Sequence, residues 1–494
     1  MKDYSFQDVL DIRDKYKNNE IDEAEAIKSL RKLNSKHPNE LVRIEIAKLE
    51  IKRGNREKGA SILQKICDNT NSKENKDECL YYLTTIDAHN GNFEEAEKRR
   101  LQIKSGKYQN IVDYNLGKNY RYHGNAEKAQ EKFENLLERE DNTGALFHLA
   151  YLAINDKEYE LAEKYAQDLE RLQKPETAIY IRAYIKYLQE EYKESRNLFM
   201  SLYGTSHELD AKYRVATIAF KESDDDYAMD LLSELHNTSI DTHARIYEGL
   251  ILDSEGFHQE ALSIYLNILN ELANNTNIKK KAIIDHHIYI NIANALSNLG
   301  RYDESRKYLD MVTDSNVPSA QYFKICDDVY EGKNMDALKK IDEYKSTRDY
   351  MDTPVWYYVY TNVFTKKEYL PDQYMLKQIR KYKDKKTIEH IEKHLEVDES
   401  KPIHTTFYKN IDIHNLYFDI RNKIQNMNYS YRSFTSFYIV KADYPVGCLN
   451  GKETEYICVV TLPNSKKIVT MYPMCVSKRY LERHSNMGRN GISD

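Results

Sequence analysis

The chain has 494 residues and a formal net charge of −6, with 31% charged and 41% hydrophobic residues. One hydrophobic core does not usually extend over so many residues, so we expect a solenoid or two to three domains. Glycine and proline are scarce, with 16 and 9 residues, which favours long amphipathic helices over a loop-rich β fold. The net charge is too small to dictate the class of partner for the whole chain.

Six cysteines are scattered along the chain, and none belongs to a CxxC pair. They are Cys67, Cys79, Cys326, Cys448, Cys458 and Cys475. This pattern indicates ordinary thiols of a reducing compartment and predicts neither a disulfide framework nor a zinc site. The N-terminal residues are polar and charged, unlike a signal peptide, and no apolar run approaches about 18 residues. We therefore expect a cytoplasmic protein without a membrane partner.

A small residue recurs along the first 340 residues at an interval of mostly 33. It stands at Ala26, Gly59, Ala96, Ala129, Ala162, Ser195, Ala228, Ala261, Ser305 and Ala337. A small side chain is needed where two helices of a pair cross closely, and a large apolar residue four positions later fills the gap to the next pair. In most units a glycine five positions earlier ends the first helix. Two longer intervals predict loop insertions near 68–76 and 270–281.

Residues Tyr114–Leu137 read YNLGKNYRYHGNAEKAQEKFENLL, and the segment resembles a tetratricopeptide repeat. The residues at that family's signature positions are Leu116, Gly117, Tyr120, Gly124, Ala129 and Phe133. Residues Glu248–Leu269 repeat the pattern, and the resemblance extends over about residues 5–350, weakening at both ends. It implies a mainly α fold, with a right-handed tetratricopeptide-like α-solenoid of about ten helical pairs over residues 1–350.

In such a superhelix the first helix of each pair lines the concave face, and helical spacing selects the side chains that project into it. In the middle units most of these side chains are aromatic: Tyr114, Phe147, Tyr151, Tyr180, Tyr184, Tyr187, Tyr213 and Phe220. Amide and basic side chains at suitable positions accompany them: Asn115, Lys118, Arg121, Asn291 and Asn294.

Two interpretations of this aromatic row remain open. The rings could pack the seams between repeats, or they could line a groove that binds a peptide. Tyrosine offers a large contact area with a polar tip, and amide side chains can hold an extended peptide backbone. In families that the chain resembles, asparagines and basic residues on the first helices hold peptide backbones and carboxylates, which implies a protein or peptide ligand.

The repeat fades after residue 350, where residues 351–398 predict a helical cap and residues 399–405 a linker. In the cap, His390 and His394 are four positions apart, but a third ligand in register is missing, so we expect an exposed helix face rather than a metal site. Residues 406–494 predict a small α+β module. It contains a helix over Ile411–Met427 and β-strands within residues 434–447, 454–464 and 466–474, followed by a basic tail.

Charge divides the chain unevenly. From Lys401 to Asp494 there are 13 lysines and arginines and 7 acidic residues, a net charge of +6. Because the whole chain has a net charge of −6, residues 1–400 have a net charge of −12. One interpretation is a docking or oligomerisation module whose basic tail meets an acidic surface, possibly that of the repeats.

The other interpretation is a nuclease, because the last strands are similar to those of small bacterial ribonuclease toxins of the RelE and barnase-like kind. The resemblance implies five candidates for phosphate binding and acid–base work: His404, Lys441, Tyr472, Arg479 and His484. RNA cleavage needs a base, an acid and a cation. No Gly-rich phosphate loop, HExxH motif or Ser-nucleophile motif occurs, so we expect no cofactor and no metal.

The sequence therefore favours a protein- or peptide-binding scaffold or regulator, in which the groove captures a segment and the C-terminal module docks or responds. The alternative is a ribonuclease effector of a toxin or phage-defence system, active in residues 401–494 and controlled by the repeats. A third hypothesis is an adaptor that binds RNA through the basic tail without cleaving it.

Overall fold

The computed structural model describes residues 4–18, 20–274, 278–312, 318–343, 384–396, 405–427, 430–432, 435–461 and 466–487. The chain divides into two compact units, Met1–Ile185 and Lys186–Asp494. None of the helices in these described ranges combines the length and the apolar character that crossing a membrane requires.

The first unit is helical throughout its described residues, and its last helix continues for three residues into the second unit. Its helices are α1 (Tyr4–Lys17), α2 (Glu23–Lys36), α3 (Glu40–Lys52), α4 (Arg56–Asn69), α5 (Lys73–His89), α6 (Phe93–Gln102), α7 (Gly106–Tyr122), α8 (Ala126–Leu137), α9 (Thr143–Asn155), α10 (Tyr159–Arg171) and α11 (Pro175–Leu188).

The second unit begins with more helical pairs and ends with a part that contains β-strands. The helices of its repeats are α12 (Tyr192–Met200), α13 (Glu208–Lys221), α14 (Asp225–Ser233), α15 (Asp241–Ser254), α16 (His258–Asn274), α17 (Ile278–Asn298), α18 (Tyr302–Asp310), α19 (Pro318–Tyr330) and α20 (Asn334–Glu343).

The ten small residues that mark the repeat all lie in even-numbered helices, and all are buried. In most pairs a second small residue stands twelve positions before the marker, such as Gly117 and Gly249, and the close crossing explains it. A Cβ atom on Gly117 would lie 2.7 Å from the ring of Phe133, and one on Gly249 would lie 2.4 Å from the ring of Tyr265. The predicted set of about ten helical pairs is therefore confirmed.

The residue five positions before the marker adopts a left-handed backbone conformation in nine of the ten pairs. In six it is glycine, with φ between 71° and 92°: Gly54, Gly91, Gly124, Gly256, Gly300 and Gly332. In the other three it is Lys157, Glu190 and Ser223, with φ of 63°, 63° and 59°. The turn geometry therefore persists where the glycine is missing, at some cost in backbone strain.

The two predicted loop insertions are wrong, because the extra residues lengthen helices instead. Helix α4 extends to Asn69, and α5 begins at Lys73 and is 17 residues long. At the second position α16 and α17 have 17 and 21 residues, and only 275–277 between them lie outside the described residues. A longer helix satisfies the added backbone groups internally, whereas an inserted loop would not.

The described residues of the C-terminal part form three α-helices and two small antiparallel sheets. The helices are α21 (Asp384–Ile391), α22 (Ile413–Lys423) and α23 (Lys478–Met487). The three-stranded sheet has the order β1-β4-β5, formed by Thr405–Phe407, Gly447–Leu449 and Lys452–Thr454. The four-stranded sheet has the order β2-β3-β6-β7, formed by Ser430–Arg432, Thr435–Lys441, Tyr456–Thr461 and Ile468–Met474.

The predicted small α+β domain is thus present, with three differences in detail. The helix expected over Ile411–Met427 ends at Lys423 and continues as a 3-10 turn over Ile424–Asn426. The last residue of the predicted linker, Thr405, already belongs to β1. The basic tail forms the helix α23, which the sequence analysis did not specify.

The C-terminal domain has a core of its own. Tyr417 and Ile420 of α22 pack against strand residues that include Tyr438 and Val459. Ile391 of α21 joins the same core, so this part of the predicted cap packs with the domain. The rest of the cap, residues 351–383, and the linker residues 399–404 lie outside the described residues. We call residues 384–487 the C-terminal module from here on.

Candidate functional site

The aromatic residues predicted for the groove form a continuous row in the first unit. Phe147 lies 6.3 Å from Tyr180, centroid to centroid, and 6.3 Å from Tyr151. The rings of Tyr151 and Tyr184 stack at 5.3 Å with an interplanar angle of 13°, and their hydroxyls are 3.4 Å apart. Tyr180 is only 8% exposed, so it packs the seam, whereas the other three residues are partly exposed.

Two cations of α7 accompany this row. The guanidinium of Arg121 lies 5.1 Å from the ring centroid of Tyr151, and the ammonium of Lys118 lies 5.2 Å from that of Tyr114. Burial lowers the pKa of Arg121, and the two tyrosines act in the opposite direction. Within the described part of the chain, no carboxylate forms an ion pair with Arg121. We call Tyr114, Lys118, Arg121, Phe147, Tyr151 and Tyr184 the aromatic–cationic surface.

A buried histidine that the sequence analysis did not identify lies beneath this surface. His148 is 8% exposed, stacks on Phe133 at 5.0 Å, and has its Nε2 atom 3.5 Å from the hydroxyl of Tyr114. Burial, with smaller effects from Arg121 and Lys118, lowers its pKa to about 3. His148 is therefore neutral at pH 7 and does not compete with the two cations for an anion.

The remaining unit-one candidate, Asn115, is half-buried on α7. Its carbonyl oxygen accepts a hydrogen bond of 2.8 Å from the side chain of Asn119. The close approach of Tyr114 to the next pair also depends on Gly144, where a Cβ atom would lie 2.6 Å from the tyrosine hydroxyl.

In the second unit the aromatic candidates gather around a tyrosine that was not predicted. Tyr213 and Phe220 contact Tyr247 edge-on, at centroid distances of 5.4 Å and 6.4 Å. Tyr187 lies 5.9 Å from Tyr192, and it also contributes to the raised pKa of Tyr247, for which burial is the main cause. Tyr247 stands 14 positions before its marker, Ala261, as His148 does before Ala162. Helical spacing selects the positions 15, 11 and 8 before the marker as those that face the groove, so it points to neither residue.

The amide candidates of the second unit are partly committed to an internal network. Asn294 donates a hydrogen bond of 2.5 Å to Asp253, which also accepts from Asn298 at 3.3 Å. His258 lies 2.6 Å from the same carboxylate. Asn291 is half-buried on the same helix. The donor group of Asn294 is therefore directed at a carboxylate of the protein itself.

The ribonuclease candidates are not brought together among the described residues. Lys441 forms an ion pair of 2.8 Å with Glu455. Arg479 donates two hydrogen bonds to Glu255, at 2.9 Å and 3.2 Å. Tyr472 lies on β7, separated from Lys441 on β3 by the intervening strand β6, which corresponds to about 10 Å across the sheet.

Tyr472 lines a cavity of about 370 Å³ together with Lys221, Phe437 and Val460. His404 lies outside the described residues, as does the side chain of His484, whose backbone belongs to α23. The nuclease hypothesis therefore stays a prediction, without an assembled acid, base and cation in the described part of the chain.

The basic end of the C-terminal module contacts acidic residues of the repeats. Besides the Arg479–Glu255 pair, Arg483 contacts Glu260 at 2.5 Å, and Lys452 contacts Asp224 at 3.3 Å. These acidic residues lie in or next to the turns between the two helices of a pair, at the α13–α14 and α15–α16 turns. A contact between the basic tail and the repeats was one of the interpretations that the sequence left open.

In a comparison with known protein families, the model of the tetratricopeptide repeat matches residues 114–176 of this chain. No curated protein matches. Similar solved structures include a tetratricopeptide repeat protein from Parabacteroides merdae ATCC 43184, with 13% identity, a TM-score of 0.39, and coverage of 49% of this chain and 97% of that one.

Two further structures are similar to this chain. The APC/C heterotetramer Cut9–Hcn1 has 11% identity and a TM-score of 0.41, covering 80% of this chain and 87% of that one. A human IFIT1 dimer with PPP-AAAA has 13% identity and a TM-score of 0.35, covering 59% and 79%.

Proposed function

The chain carries tetratricopeptide repeats, and we propose that they bind an extended segment of a partner protein through the aromatic–cationic surface of the first unit. The observation that carries the proposal is Arg121, a largely desolvated guanidinium that lies on Tyr151 without a carboxylate partner among the described residues.

Several other partly buried arginines of the first unit are paired. Arg99 binds Asp87, Arg100 binds Asp113, and their side chains are each 18% exposed. Arg182 binds both Glu163 and Glu170. A desolvated charge is unfavourable unless it is paired, so the free energy that Arg121 would gain from an anionic ligand is larger than that of an exposed arginine.

The planar guanidinium suits a carboxylate, because its N–H groups can form two parallel hydrogen bonds with the two oxygens. Lys118 adds a second positive charge on the same helix, one turn earlier. The ligand class that fits best is therefore a peptide segment that presents an acidic side chain or a C-terminal carboxylate to α7.

The half-exposed rings of Phe147, Tyr151 and Tyr184 provide the remaining contact area. Tyrosine is enriched among the residues that dominate binding energy, because it combines a large rigid ring with a polar hydroxyl. We expect the same segment to place apolar or aromatic side chains next to its acidic group. Solenoids of stacked helical pairs offer extended surfaces suited to such segments.

The experiment is selection of a phage-displayed library of random peptides on the full chain, followed by Kd measurements for the enriched peptides. We expect enrichment of segments with an acidic residue beside apolar ones, and a loss of affinity of about tenfold or more in Arg121→Gln. Lys128→Gln is the matched control, since Lys128 is an exposed cation on α8 of the same helical pair. Enriched peptides that bind Arg121→Gln as tightly as the unaltered chain would refute the proposal.

A further inference from the structure

The four acidic residues that the module contacts form one edge of the repeats. Asp224, Asp226, Glu255 and Glu260 all lie at or next to the turns that join the two helices of a pair, and we call them the acidic turn edge. The module meets this edge with Lys452 and with the first residues of α23. Opposite charges therefore face each other in three ion pairs of this contact.

The strongest of these contacts is the pair of Arg479 and Glu255. Its two hydrogen bonds give it a bidentate geometry, and the side chains are only 22% and 6% exposed. Asp226 adds a second fixed point, since its carboxylate accepts from the backbone N–H of Lys478 at 3.0 Å. A carboxylate at the first residue of a helix also interacts favourably with the helix dipole.

The other ion pairs are more exposed. The side chains of Lys452 and Asp224 are 67% and 37% exposed, and those of Arg483 and Glu260 are 42% and 49% exposed. Exposed pairs are weak and are screened by salt. Arg483 also lies 4.3 Å from the ring centroid of Phe257, which adds a cation–π contact at the same edge.

The module also lies over part of the predicted groove. Phe220, the last aromatic residue of the predicted row, lines a small cavity of about 40 Å³ together with Ile439, Met474 and Tyr480 of the module. Strand β2 lies against α17, the helix that carries Asn291 and Asn294. Phe220 therefore lies beneath the module, and the module also contacts the helix that carries the two amide candidates.

The module does not depend on the repeats for its core. Its buried apolar cluster contains residues from Ile388 to Met471 and none from the repeats, and the cluster around α15, α16 and α17 contains no residue of the module. Two parts with separate cores, joined by ion pairs and by the contacts around Phe220 and Phe257, can separate without either core unfolding.

We propose that the C-terminal module is a releasable cover. Helix α23 occupies the acidic turn edge, holds the module over Phe220, and leaves when its ion pairs are screened or replaced by a basic segment of a partner. The inference rests on the proposed function in one respect, namely that the repeats bind a segment of a partner protein.

The test is hydrogen exchange of the full chain, followed by mass spectrometry, for Arg479→Glu, Glu255→Arg and the double variant. Each single reversal places like charges in contact, and we expect exchange in residues 220–226 and 474–483 to rise about tenfold or more. The double variant restores opposite charges and should bring exchange back to within about threefold of the unaltered chain. Raising NaCl from about 50 mM to about 500 mM should act in the same direction as the single variants.

The control is Arg245→Glu, which breaks the pair of Arg245 with Glu271 in the same unit but away from the module. It should leave residues 474–483 protected. Strand β6, in the core of the module, reports whether a variant has unfolded, and it should stay protected in all variants. Unchanged exchange at 474–483 in both single variants, or exchange that the double variant does not restore, would overturn the proposal.

Failure of this inference is distinguishable from failure of the proposed function. The exchange experiment contains no ligand and reads only the module and the edge. The peptide selection depends on Arg121 of the first unit, and its outcome does not require release of the module.

Discussion

The repeats of the two units have the same helical pairs but different polar and charged contacts on their first helices. In the first unit, Arg121 lies on Tyr151 without a carboxylate partner among the described residues. In the second unit, Asp253 accepts hydrogen bonds from Asn294 and Asn298, and the module lies over Phe220. The helical pairs therefore supply a common scaffold, while the polar residues of the first helices have different partners in the two units.

The largest expected effect tests whether the scaffold is indeed common to both units. Gly117→Leu and Gly249→Leu each place a side chain where Phe133 or Tyr265 already lies within 3 Å of the position of a Cβ atom. We expect each variant to lower the free energy of unfolding by about 3 kcal/mol, measured by urea denaturation with circular dichroism. A loss in only one variant would mean that the two units do not share the same crossing geometry.

The pH dependence of stability should have opposite signs in the two units. Burial raises the pKa of Asp327 in the second unit to about 6, so the folded state binds a proton more tightly than the unfolded state, and stability falls as pH rises from about 4 to 6. Burial lowers the pKa of His148 in the first unit to about 3, so the unfolded state binds the proton more tightly, and stability falls as pH drops from about 6.5 towards 3. Each contribution is about 1.4 kcal/mol per pH unit within its window.

These contributions are separable by substitution and thermal unfolding between about pH 4.5 and 7. Relative to the unaltered chain, His148→Gln should gain stability on acidification, and Asp327→Asn should lose it. If acidification changed the stability of both variants in the same direction, relative to the unaltered chain, the opposite pKa shifts of His148 and Asp327 would be contradicted.

Variants of Arg100 and Arg121 distinguish an arginine that stabilises the fold from one that binds a ligand. Arg100 pairs with Asp113, whose side chain is 4% exposed, and Arg100→Gln leaves that carboxylate with Arg139 as its remaining partner. We expect a loss of about 2 kcal/mol in unfolding free energy. Arg121→Gln should lose less than about 1 kcal/mol but should lower peptide affinity, and a stability loss as large as that of Arg100→Gln would show that Arg121 is structural.

The smallest effect concerns the turns within the pairs. Lys157 and Glu190 adopt the left-handed conformation that glycine provides elsewhere. Lys157→Gly and Glu190→Gly should therefore raise the unfolding free energy by up to about 1 kcal/mol, while Gly124→Ala should lower it by a similar amount. Urea midpoints measure both, and a loss in the two glycine variants would mean that their side chains make contacts which outweigh the strain.

Periodicity made much of the repeat fold predictable, since the ten marker residues and the turn positions depend only on local spacing. The long strands of the module followed from their Val, Ile, Thr and Tyr content. Sequence spacing did not predict the longer helices around 68–76 and 270–281, because a longer interval does not distinguish added loop from added helix. Four short strands were also missed, since three residues carry too little pattern.

The binding surface was predictable only in part. Helical spacing selected Arg121 and Tyr151, but which cations remain unpaired depends on residues that are distant in the sequence, as the Arg100–Asp113 pair shows. Likewise, the charge difference between the two parts of the chain indicated a docking surface, while the partners Arg479 and Glu255 are separated by 224 positions and could not be matched without the fold.

The most direct test of the central claim is a double-mutant cycle between Arg121 and the acidic residue of a selected peptide. Kd values would be measured for the unaltered chain and Arg121→Gln, each with the peptide and with its variant in which an amide replaces that carboxylate. A bound carboxylate at Arg121 predicts that each single change costs about tenfold or more and that the second change adds little. If the losses of affinity from the two single changes multiplied in the combination, the contact between Arg121 and the carboxylate would be contradicted.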